Sequence, residues 1–170
     1  MATKKISESR TIRTVLANPR DANSRNNTHG GVLAYWADDT AGACFKRHTG
    51  YGGVTASFNS VNYLSPVDTG DIVTTEAIIT GTGNRSAEVF VQIYVERGET
   101  NQRILAFTAF ATCVVLAPDD FQMPQIQAET AIEEQLLAGY AQRKARIKEE
   151  RQSFAPTLEV LQARVEGEND

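Results

Sequence analysis

The sequence predicts an α+β fold: one central helix, an antiparallel strand meander and helical appendages. Three observations predict it. An Ala- and Gly-rich stretch, Gly31 to His48, repeats its apolar residues at helical spacing. Four long β-like runs follow, separated by short turn-forming segments, which argues for antiparallel neighbours. The last third turns charged and helical in pattern. At 170 residues and 41% hydrophobic content, the chain can build one core with appended structure.

Taken in order, Ser7 to Leu16 has weak alternation through Ile12, Val15 and Leu16 and reads as an edge strand. Asn18 to His29 is a loop, because Pro19, Asp21, Asn23, Asn26 and Asn27 compete for backbone hydrogen bonds and favour turns. In the helix that follows, Leu33, Trp36, Ala37, Ala41, Cys44 and Phe45 recur on one side. Small residues let a neighbour approach closely, so this helix is expected to be buried. The β-like runs are Val54–Leu64, Ile72–Thr82, Ser86–Glu96 and Ile104–Leu116. In the third, Ala87, Val89, Val91, Ile93 and Val95 face one way. Turns are expected at Ser65–Asp71, Gly81–Asn84 and Gly98–Asn101. From Gln125 to Gln152 a broken stripe of Ile126, Ile132, Leu136, Leu137 and Tyr140 indicates helix, and Phe154-Ala155-Pro156 is expected to interrupt it.

Several functional classes fall away. A net charge of −4 lacks the basic footprint of nucleic-acid binding. Cys44 and Cys113 lie in unrelated apolar runs, which argues against a disulfide scaffold or a metal site. A polar start and the lack of a long apolar run point to a cytoplasmic protein without a membrane partner. No G-x-S-x-G, Walker A, G-x-G-x-x-G or H-E-x-x-H pattern occurs, so carboxylate chemistry or pure binding remains.

Asp38 is the most informative residue. On a helix it shares a face with Ala34, Ala41, Gly42 and Phe45, which would shield it from water. An incompletely partnered buried carboxylate gains basicity and becomes a candidate base or nucleophile, although the same burial suits a carboxylate that only braces the core. Asp39 lies on a more polar side with Tyr35, Ala43 and Lys46, as expected of a surface residue. His29 stands before the helix, within reach of a substrate or merely in solvent. His48, near the helix end, would favour the negative end of the helix dipole. Gly30-Gly31 at the helix start offers backbone N–H groups for developing negative charge, or simply a tight turn.

The stretches DANSRNNTHGGVLAYWADD, VTASFNSVNYLSPVDTGDIV and GTGNRSAEVFVQIYVE together resemble the YciA-like cytosolic acyl-CoA thioesterases, over roughly Glu8 to Leu116. The resemblance implies a hotdog fold, with the antiparallel sheet wrapped around the central helix. It divides the chain into a thioesterase domain at residues 1–120 and a C-terminal helical extension at 121–170. It further implies hydrolysis of acyl-CoA to a fatty acid and CoA by Asp38 and Asn23 from opposite subunits of a homodimer, with water and no cofactor or metal. Backbone N–H groups at Gly30 and Gly31 would polarise the carbonyl. Asn84, Arg85 and Ser86 would contact CoA, with His29 a substrate contact from its place before the helix, and dimers would assemble as a trimer. The chain departs from the family pattern at Asn26, often Gly; at His29, often aromatic; and at Asp39, often Glu or apolar. A non-catalytic acyl-CoA sensor and a hotdog dehydratase remain alternatives.

Overall fold

A computed structural model describes residues 2–98 and 102–167; residues 99–101 of the expected turn at Gly98–Asn101 lie outside the described residues. The elements run β1 (Thr3–Lys5), α1 (Ile6–Ser9), β2 (Thr11–Leu16), a 3₁₀ turn (Pro19–Asp21), α2 (Gly30–Thr49), β3 (Gly53–Tyr63), β4 (Ile72–Thr82), β5 (Ser86–Arg97), β6 (Gln102–Val115), β7 (Gln125–Gln127), α3 (Ala131–Ala138) and α4 (Tyr140–Gly167). Two compact units result, Met1–Leu137 and Ala138–Asp170.

In the first unit α2 packs against a five-stranded antiparallel sheet of order β2-β4-β5-β6-β3. The helix forms where its periodicity predicts. His29 caps its start, with Nδ1 accepting from Gly31 N–H at 3.2 Å. Gly50 ends it at φ 77°, a left-handed conformation that glycine adopts without strain, donating to Lys46 C=O at 2.8 Å. Leu33, Trp36, Ala37, Ala41, Cys44 and Phe45 are all buried against the sheet. Ala87, Val89, Val91, Ile93 and Val95 of β5 meet them from the other side, each almost fully buried. Gly53 permits close contact, because a Cβ there would lie 2.5 Å from the Phe45 ring and 2.6 Å from Val114 C=O.

The strand meander needs one correction. β3 pairs with β6 rather than with its sequence neighbour β4, so Ser65–Asp71 crosses between distant strands instead of closing a hairpin. β3 therefore becomes an edge, largely exposed, with Val54, Val61 and Tyr63 open. The expected strand from Ser7 begins only at Thr11; Ile6–Ser9 is a helical turn that buries Ile6 and Ser9.

The first unit also runs past residue 120. β7 pairs in parallel with β1, Met123 joins the core, and Ile126 packs against it, so Gln125–Gln127 is strand where helix was expected. Lys4 Nζ donates to the last carbonyls of α2, Arg47 and His48, at 3.1 and 2.8 Å. His48 is fully buried, not a charge at an exposed helix end: Nε2 lies 3.0 Å from Pro124 C=O and Nδ1 lies 3.5 Å from Ser9 Oγ. Burial pushes its pKa below the ordinary histidine value.

The second unit is α4, a single 28-residue helix. It runs through Pro156, where an interruption was expected. The missing N–H forfeits one bond to Gln152, and the outward-facing ring leaves the other turns intact.

Candidate active site

Asp38 lies on the flank of the buried stripe of α2, on the same helical line as Phe45, and it is exposed. The expected shielding does not come from its own chain. The buried stripe centres on Ala37, Ala41, Cys44 and His48, and Asp38 is turned about 100° from Ala37, past the edge of the sheet contact. Its Oδ1 accepts a 2.7 Å hydrogen bond from Thr55 Oγ1 on β3. Thr55 Oγ1 also sits 3.9 Å from the Cys113 sulfur, so the threonine joins the carboxylate to the sheet. Asp39, as its surface position predicts, pairs with Arg13 at 3.1 Å.

Asn23 belongs to a different locus. Its side-chain oxygen accepts from Arg25 N–H at 2.8 Å and Asn27 N–H at 3.3 Å, and its backbone N–H donates to Asn27 C=O at 2.7 Å. These bonds make a compact turn, closed by Asn26 at φ 62°. That left-handed backbone is one that asparagine and glycine adopt more readily than other residues. The turn is fixed to the β3–β4 crossover by Asn27 Nδ2 on Asp68 Oδ1 at 2.5 Å. Asn23, Asn27, Thr28, Gly30, Leu33 and Tyr63 line a shallow cavity of about 290 Å³ that Asp38 does not reach.

Between the two stands the start of α2. Gly31 N–H already has the His29 imidazole as acceptor, so of the expected pair Gly30 N–H is the one without an acceptor among the described residues. Tyr63 covers Gly30: its hydroxyl donates to Gly30 C=O at 3.2 Å, and a Cβ on Gly30 would meet the ring at 3.2 Å.

A thioesterase superfamily profile matches residues 25–101. The acyl-CoA thioester hydrolase YkhA of Bacillus subtilis, itself described as uncharacterized, is 35% identical over 135 residues, covering 79% of this chain and 78% of that one. An acyl-CoA hydrolase of Staphylococcus aureus solved with coenzyme A superposes with a TM-score of 0.88 at 31% identity, over 94% of this chain and 97% of the other. An apo-hexameric acyl-CoA thioesterase superposes at 0.84 with 29% identity, over 88% and 97%. This chain belongs to the acyl-CoA thioester hydrolase family.

In this acyl-CoA thioester hydrolase the sheet cradling one long helix is the hotdog fold that the resemblance implied. Asn84, Arg85 and Ser86 form the β4–β5 turn, closed by Gly83 N–H on Ser86 C=O at 2.7 Å. The Arg85 guanidinium is tied to the carbonyls of Ala117 and Pro118, while Asn84 is exposed. Thr55 is the residue that sequence reading missed. Its signal was faint: a polar β-branched residue at the start of a strand says nothing about a helix 17 positions earlier. Cys44 and Cys113 are buried thiols, with burial pushing their pKa values up to about 12 and about 11.

Proposed function

We propose that this hydrolase cleaves the thioester of acyl-CoA to a free fatty acid and CoA, with Asp38 of one protomer acting on a substrate positioned by Asn23 of a second. The Asp38–Thr55 hydrogen bond is the observation that carries the reading. It fixes one carboxylate oxygen and leaves the other able to accept a proton from water or to attack the carbonyl. In this reading Gly30 N–H, at the positive end of the α2 dipole, polarises the thioester oxygen. His29, Asn84 and Ser86 are the proposed substrate and CoA contacts.

Crystallised variants of the Staphylococcus aureus hydrolase replace one asparagine, one aspartate and one threonine with alanine. Those residues lie 15 and 17 positions apart, as do Asn23, Asp38 and Thr55 here. That agreement supports assigning all three to one site, with Thr55 positioning the carboxylate. The same hydrolase was solved with butyryl-CoA and CoA, which supports CoA as part of substrate and product.

Within one protomer the site is open and incomplete. The exposed β3 edge, the unburied Asp38 and the separate Asn23 cavity are surfaces that an edge-to-edge dimer would join. A trimer of such dimers matches the hexameric relatives. A cytoplasmic setting fits the human relative named a cytosolic hydrolase.

The test is release of CoA thiol from acyl-CoAs of increasing length, with the native protein and Asp38→Asn side by side. Turnover by the first and a loss of about 10²- to 10⁴-fold in the second are expected. Full turnover in Asp38→Asn would exclude the mechanism.

A further inference from the structure

α4 is 28 residues long, and none of its residues is buried. Helices in proteins gain most of their stability from packing an apolar face, so a helix of this length calls for a partner. Its sequence supplies the face. Ile147, Phe154 and Leu161 alternate with Arg151, Leu158 and Val165 at steps of four and three, the spacing of a coiled-coil seam. Phe154, Leu158, Leu161 and Val165 are 53%, 45%, 47% and 61% exposed. Pro156 falls at the outermost position of the repeat, opposite the seam, where its ring and missing N–H do not meet a packed helix. Val160 lies off the seam.

We propose that α4 associates with α4 of a second copy of this chain as an antiparallel two-stranded coiled coil. Charge decides the direction, and the self-complementary placing of Glu150 and Arg164 favours a second copy as the occupant. In a parallel pair Arg151 would face Arg151 of the partner subunit across the core, and Arg143 would flank Lys148 of the partner subunit. Both contacts are repulsive. In the antiparallel register that layers Leu158 on Phe154 of the partner subunit, Ile147 meets Val165 of the partner subunit. Arg151 then lies over Leu161 of the partner subunit, where its methylene stem covers apolar surface while the guanidinium reaches water. The same register brings Glu150 beside Arg164 of the partner subunit on each flank. Glu150 already holds Arg146 of its own helix at 3.6 Å, an exposed pair that a second cation can share. This interface is separate from the β3 edge and independent of the chemistry assigned to Asp38.

The antiparallel register places Thr157 beside Thr157 of the partner subunit, whereas a parallel pair would hold these residues on opposite flanks. The test uses the full chain with Thr157→Cys under mild oxidation, against Ser153→Cys as an outward-facing control. Both positions are exposed, and the native thiols are buried. Thr157→Cys is expected to form a disulfide-linked pair at least about tenfold faster than Ser153→Cys, because the coil raises the effective thiol concentration. Adding Leu158→Lys and Leu161→Lys should remove the difference. Equal cross-linking rates at the two positions, or a fast Thr157→Cys rate that survives both lysines, would overturn the proposal.

Discussion

Complementation between two inactive variants tests the shared site most directly. Asn23 lines a cavity beside Gly30, and Asp38 lies eight residues further along α2, about 12 Å at the helical rise. One chain therefore does not bring the two side chains to one carbonyl. Asn23→Ala and Asp38→Ala should each reduce turnover by about 10²- to 10⁴-fold. When equal amounts are co-expressed and subunits pair at random, about half of the dimers are mixed. Each mixed dimer holds one site carrying both substitutions and one carrying neither, so the mixture should recover about one quarter of native activity. The assay is CoA thiol release, with native mass spectrometry to confirm mixed pairs. Mixed dimers that stay as inactive as the separate variants would refute the reasoning, since they would put both residues in one chain's site.

Other outcomes follow from single contacts. Thr55→Val removes a hydrogen bond to a carboxylate and should lower kcat by about ten- to a hundredfold, with the fold intact by circular dichroism. Gly53→Ala forces a Cβ into the Phe45 ring and the Val114 carbonyl and should destabilise the protein by about 1–3 kcal/mol, read as a lower urea midpoint. His48 is held neutral, its folded pKa below the unfolded value of 6.5, so the unfolded chain binds the extra proton in the window between them. Its contribution is complete above pH 6.5 and declines as pH falls through that window; Tm should drop on acidification, and His48→Gln should flatten the drop. With thiol pKa values of about 12 and about 11, Cys44 and Cys113 should resist a thiol reagent at pH 8 until the protein is unfolded in denaturant.

The sequence by itself determined what depends on local periodicity. The bounds of α2 differ by one residue from those its spacing implies, β4 runs over Ile72–Thr82 as its pattern indicated, and the inward set of β5 is the alternation read from the chain. The stretch from Asp21 and Asn23 through Gly30-Gly31 to Asp38, with the two β-like stretches after it, carried the resemblance to the family. Only the tertiary structure decided what depends on partners far along the chain. β3 sits beside β6, and β1 pairs with β7 across some 120 residues, because strand pairing is chosen by the whole sheet and leaves no trace in either strand alone. His48 looked like a helix-end charge, yet Ser9 and Pro124 close over it. Asp38 looked buried because Ala and Gly share its side of the helix. Small side chains mark a close approach without naming the neighbour, and the sheet of the same chain covers Ala41 and Phe45 but leaves Asp38 uncovered at the flank.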